Sequence, residues 1–90
     1  MKPVRWTAHA ETSLRDREID RTEVARTLAA PDRRLTSRSG REILVRKYED
    51  EVLRQPMVLC VVVEDRPEET AVVTVYKSSK LEKYLLGGTS

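Results

Sequence analysis

Apolar positions recur with two periods along this chain, a helical one up to Ala30 and a strand-like one after it. Ala10 and Leu14 lie four apart, which predicts a helix from about Ala8 to Arg17 with Thr7 as its N-cap. His9, Ser13 and Arg17 share a neighbouring face of that helix. A second helix is marked by Asp20 and Glu23, a capping-box-like pair, with Ile19 and Val24 placed as a hydrophobic staple. Val24, Leu28 and Ala25 are its expected core residues. It should end near Ala30, because Pro31 disfavours helical geometry in the residue before it.

Strand signals take over from there. Residues 33–39 read as a strand, and Ser39-Gly40 as a turn. In residues 41–49, Ile43, Val45 and Lys47 alternate with Glu42, Leu44, Arg46 and Tyr48. Residues 57–65 are almost continuously apolar, as expected of a central strand covered on both faces. Residues 70–77 are rich in β-branched side chains, with Ala71, Val73 and Val75 predicted on one face and Val72, Thr74 and Tyr76 on the other. Residues 3–6 are either a short strand or an extended lead-in, and 79–85 a short closing helix. This order predicts an α+β fold, two N-terminal helices packed on one face of an antiparallel sheet.

Ninety residues make one small domain, which buries roughly 60–65% of its unfolded surface around a single core. Cys60 has no second cysteine to pair with and lies in an apolar run, so a buried, inert thiol is expected rather than a reactive one. With one Cys and one His, an internal zinc site is not expected, and no other cofactor is implied. The absence of a signal-peptide pattern or a long apolar run leads to the expectation of a cytoplasmic protein without membrane contact.

Net charge is +2, but it is unevenly spread. Residues 1–47 hold 12 Lys/Arg and 7 Asp/Glu, whereas residues 48–90 hold 5 and 8. The densest basic stretch is Arg33, Arg34, Arg38, Arg41, Arg46 and Lys47, with Glu42 as its only carboxylate. Arginine forks match phosphate oxygens, so this stretch is either a nucleic-acid contact or a solvated or partner-protein surface.

A set of short motifs in fixed order now becomes informative. His9-Ala10, Arg17, Ile19, Glu23-Val24, Pro31-Asp32, Gly40-Arg41, residues 61–64 (VVVE), residues 72–76 (VVTVY), Ser79-Lys80 and Lys83-Tyr84 occur in one sequence. Over residues 5–84 the chain resembles the bacterial domain-of-unknown-function family 4258, which is grouped with RelE/BrnT-like toxins. It departs from that pattern at Ser13, where the family often has Arg, and at Glu18, where it often has Gly; the latter suggests a different turn after the first helix. The resemblance implies a RelE-like domain over residues 1–86 with about four antiparallel strands, and a frayed tail at 87–90. It further implies RNA or the ribosome as a target, an antitoxin protein as a partner, and RNA cleavage by attack of the ribose 2′-hydroxyl on the adjacent phosphate. The alternative is a non-catalytic module on the same fold that binds protein or nucleic acid.

Such cleavage needs a base, an acid and cations against the phosphorane. His9 is the candidate acid or base, or else a residue whose imidazole fixes the helix start. Arg17 lies about 12 Å further along the helix and either stabilises charge or pairs with a carboxylate. Arg41, just after the turn, is the expected freest contact, and Lys47 and Lys80 complete the candidate catalytic set. Arg33, Arg34, Arg38, Arg46, Tyr76 and Tyr84 are the candidate nucleic-acid contacts; the tyrosines can stack on bases or serve as packing residues. Trp6 is expected at the core or its edge.

Overall fold

In the computed structural model, which describes residues 2–37 and 39–85, the chain runs β1 (Val4–Trp6), α1 (Ala8–Asp16), α2 (Arg21–Ala29), β2 (Arg33–Thr36), β3 (Glu42–Asp50), β4 (Gln55–Asp65), β5 (Thr70–Ser78) and α3 (Leu81–Leu85). The expected tail at 87–90 and Arg38 lie outside the described residues. Thr7 caps α1 as expected, its Oγ1 accepting from the Ala10 N–H at 3.1 Å. Asp20 caps α2 through the Thr22 N–H at 2.9 Å. The capping box does not close, because the Glu23 carboxylate is engaged elsewhere, by Arg46 and Arg26.

Five strands form one mixed sheet in the order β1-β5-β4-β3-β2. The expected four-stranded antiparallel sheet is thereby corrected. Pairing from β5 to β2 is antiparallel, but β1 runs parallel to β5, with Val4 opposite Thr70 and Trp6 opposite Val72. Three residues are too short to display a period of two, so their pairing could not be read from patterning. Their attachment is reinforced by the Thr70 N–H on the Pro3 carbonyl (2.9 Å) and by Arg5 Nε on Glu69 (2.6 Å).

A second correction concerns the faces. On one, Leu44, Leu59, Val61, Val63, Val72 and Val75 pack against Ala10, Leu14, Ile19 and Val24 of the helical pair. On the other, Val45, Val58 and Cys60 are covered by Leu81, Tyr84 and Leu85 of α3. Helices therefore lie on both sides, which is why β4 is apolar on both. Val72 and Val75 share a face because a bulge at Val73 breaks the alternation predicted for β5: Val62 pairs with Thr74, but Val63 pairs with Val72. One extra residue flips the side-chain parity beyond it. Thr7 sits on this bulge, Oγ1 donating towards the Val72 and Val73 carbonyls (2.9 and 3.2 Å). In α2, Thr27 rather than Ala25 is buried.

The turn after α1 keeps the geometry that a glycine would favour. Glu18 has φ 53°, the Ile19 N–H reaches the Leu14 carbonyl at 2.9 Å, and the Glu18 N–H reaches the Arg15 carbonyl at 3.3 Å. This is a Schellman motif, closed by apolar packing of Ile19 with Leu14. Here the turn is made by a non-glycine residue in the left-handed region, where it is strained. Glu18→Gly is expected to raise the unfolding free energy by about 1 kcal/mol, checked by urea denaturation; an unchanged or lower midpoint would contradict it.

Candidate functional site

The sheet divides the predicted site residues between its two sides. On the α1–α2 side, His9 is exposed on the first turn of α1, and its side chain has no hydrogen bond or ion pair among the described residues. It therefore does not act as a helix-start clamp; Thr7 does that. Ser13 is buried, its hydroxyl 3.0 Å from that of Thr74. Arg17 Nη1 donates to the Val75 carbonyl at 3.0 Å, tying α1 to β5.

Arg46 rises from β3 beneath α2. Its Nε donates to Thr27 Oγ1 at 3.1 Å, its Nη2 is paired with the Glu23 carboxylate, and Thr27 Oγ1 donates on to the Glu23 carbonyl at 3.0 Å. This closed network accounts for the buried Thr27 hydroxyl. Arg34, at the edge, faces Glu42 at 3.7 Å. Trp6 is half-buried at the core edge, with the Arg21 guanidinium 4.7 Å from its ring centre.

On the α3 side, Arg33 Nη1 donates to the Leu85 carbonyl at 2.8 Å and holds the end of α3. Tyr76 and Tyr84 meet edge to face, centroids 6.1 Å apart. Burial, then a hydrogen bond to Tyr84, drives the Tyr76 hydroxyl well above the ordinary tyrosine range. Burial pushes the Cys60 thiol up to about 11, against the opposing influence of Tyr76 and Lys83. That fits the inert thiol expected from the sequence. At the far end of this side, Arg41 Nε donates to Glu64 at 3.1 Å, and Arg66 Nη2 to the same carboxylate at 2.9 Å. These two hydrogen bonds, Arg41's first, hold Glu64 below the usual carboxylate range. The expected freest arginine is thus engaged within the chain.

Lys47 and Lys80 differ from the arginines. Both are exposed, and neither ammonium has an ion-pair partner among the described residues. Lys47 pairs across β3 with Val58, and Val58 across β4 with Ser78. Two strand spacings put Lys47 about 10 Å from Ser78, whose Oγ accepts the Lys80 backbone N–H at 3.0 Å. Lys83 extends this group, its Nζ 5.3 Å from the Tyr84 ring centre. It was named in the motif set but not as a candidate site residue, although its spacing from Lys80 fits one side of a helical turn. Lys47, Lys80, Arg33, Tyr76 and Tyr84 thus share one side, whereas His9, Arg17, Arg34 and Arg46 lie on the other.

Sequence reasoning also missed a cleft of about 740 Å³ between the α1–α2 turn and the β3–β4 hairpin. Ile19, Tyr48 and Leu59 line it, and Tyr48 Oη is buried with no hydrogen-bond partner among the described residues. Burial, followed by the charges of Asp50 and Glu23, raises the Tyr48 hydroxyl above its ordinary value, with Arg46 opposing. Among the described residues, no group of three or more His, Cys, Asp or Glu is placed to hold a metal ion, and no helix is long and apolar enough to cross a membrane.

These features define an α+β domain with a mixed five-stranded sheet, a helical pair on one side and a short helix on the other. The family model described as a domain of unknown function (DUF4258) matches residues 6–77, and the chain belongs to that family. No curated protein and no solved structure matches it.

Proposed function

We propose that this chain is a RelE-like, toxin-derived module that binds RNA through the α3 side of its sheet without cutting it. The observation that carries this reading is the pair Lys47 and Lys80, exposed at one end of one face and free of carboxylate partners among the described residues. Unpaired ammonium groups are the ones that can displace counterions from a phosphate backbone. Arg34, Arg41 and Arg46, by contrast, would first have to leave Glu42, Glu64 and Glu23. Strand cleavage asks an acid and a base to meet at one phosphate. His9 lies on the helical-pair side, away from Lys47 and Lys80, so the geometry favours binding over cleavage. Kinship with the RelE/BrnT-like toxins is supported by the ordered motifs and by a helical pair preceding four antiparallel strands.

Fluorescence anisotropy with a labelled single-stranded RNA of roughly 12 nucleotides tests the reading. Affinity should fall with rising salt. Lys47→Ala combined with Lys80→Ala should weaken binding about tenfold and flatten the log–log salt dependence by about 1.4, from roughly 0.7 per phosphate contact. His9→Ala should leave affinity unchanged, and the RNA should stay intact on a denaturing gel. Unaltered binding by the lysine variant would overturn the assignment of this face. RNA cutting that depends on His9 would replace the module with a nuclease.

A further inference from the structure

The cleft beside Tyr48 has the opposite character from the lysine face. Its floor is apolar, made by Ile19, Leu59 and the Tyr48 ring, and its lip carries Val52 and Leu53 from the β3–β4 turn. Val52 is 90% exposed and Leu53 58%. Large aliphatic side chains held that far into solvent beside an apolar floor are a mark of an interaction surface. The turn that presents them is well defined: Asp50 Oδ1 accepts from the Val52 and Leu53 N–H groups at 3.0 and 2.8 Å, and Arg54 closes it with φ 55°.

Charge decides what the cleft can receive. Glu18, Asp20, Glu49, Asp50 and Glu51 line it and have no ion-pair partner among the described residues, while Glu23 is committed to Arg46 and Arg26. Against them stand Lys77 in the lining and Arg54 on the neighbouring hairpin surface. The excess is negative, which repels nucleic acid and attracts cations.

We infer that this cleft docks a short segment of a partner protein that alternates basic and aliphatic side chains. Its aliphatic residues would lie on Ile19, Leu59, Val52 and Leu53, and its Lys or Arg would meet Glu49 and Glu51. About 740 Å³ holds a few side chains rather than a domain surface, which favours a segment over a second folded copy. The inference stands apart from the RNA reading, because the two surfaces share no residue.

Isothermal titration calorimetry on the full chain tests it, with a capped hexapeptide alternating leucine and arginine as probe. A peptide with glutamate in place of arginine should bind at least tenfold more weakly, as should one with serine in place of leucine. Glu49→Gln with Glu51→Gln, and separately Val52→Ser with Leu53→Ser, should each weaken the parent peptide about tenfold. RNA affinity should not change in any of these variants. No binding at millimolar peptide, equal binding of the glutamate peptide, or a dimer of the chain broken by the same substitutions would overturn the inference.

Discussion

Replacing Glu23 by alanine is expected to lower the unfolding free energy by about 2 kcal/mol, read from the urea midpoint. The Arg46 guanidinium is mostly covered by α2, its side chain only 18% exposed, and would lose its carboxylate while keeping one hydroxyl. Full burial would put the loss at about 3–5 kcal/mol; the partial exposure of Glu23 reduces it. For a domain of this length each kcal/mol corresponds to about 4–8 °C in Tm. Arg46→Met in the Glu23→Ala background should restore much of the loss, since an apolar chain of similar length does not need the carboxylate. RNA affinity should be unaffected by the Glu23 change. A single variant as stable as the parent would mean that the pair contributes nothing, and would return Arg46 to the pool of free cations.

The second large effect is alkaline. Cys60, Tyr48 and Tyr76 all have protonated forms favoured by the folded state. Each group's pKa is higher folded than unfolded, so its contribution is complete below the unfolded value and fades as pH rises past it. Decline should begin near the ordinary thiol value of 9.0 and, for Cys60, run to about 11. That two-unit span corresponds to about 2–3 kcal/mol from the thiol alone, with the tyrosines adding to it above their ordinary 10.0. Urea midpoints followed from neutral to alkaline pH should show the decline, and Cys60→Ala should remove its first portion. A flat profile across that window would show that the three groups are not held in their protonated forms.

The elements legible in the sequence were those with long or repeated patterns. Ala10 and Leu14 located α1, Asp20 and Pro31 bracketed α2, and the apolar run at 57–65 gave the central strand. What stayed hidden depends on partners distant in sequence. Residues 4–6 become a strand only because β5 offers an edge, and the bulge at Val73 has no glycine or proline to announce it. The candidate site was legible as a set of residue types but not as an arrangement. Arg33, Arg34, Arg41 and Arg46 form one basic run in sequence, yet strand register sends them to a carbonyl and three carboxylates, each in a different element from its arginine. The acidic cleft was invisible for the same reason: its residues come from four separated places, 18–23, 48–53, Leu59 and Lys77.

The parallel pairing of β1 with β5 also sets a schedule for synthesis. Val4 is made sixty-six positions before its partner Thr70. At 5–20 residues per second, β1 waits roughly 3–13 s for the strand it joins. Through that interval Trp6 has neither its sheet position nor the β5 backbone to lean on. The antiparallel β2–β5 meander, whose strands follow one another in both sequence and space, can assemble as its strands emerge, so the strand made before all of them is the last of the five to find its place.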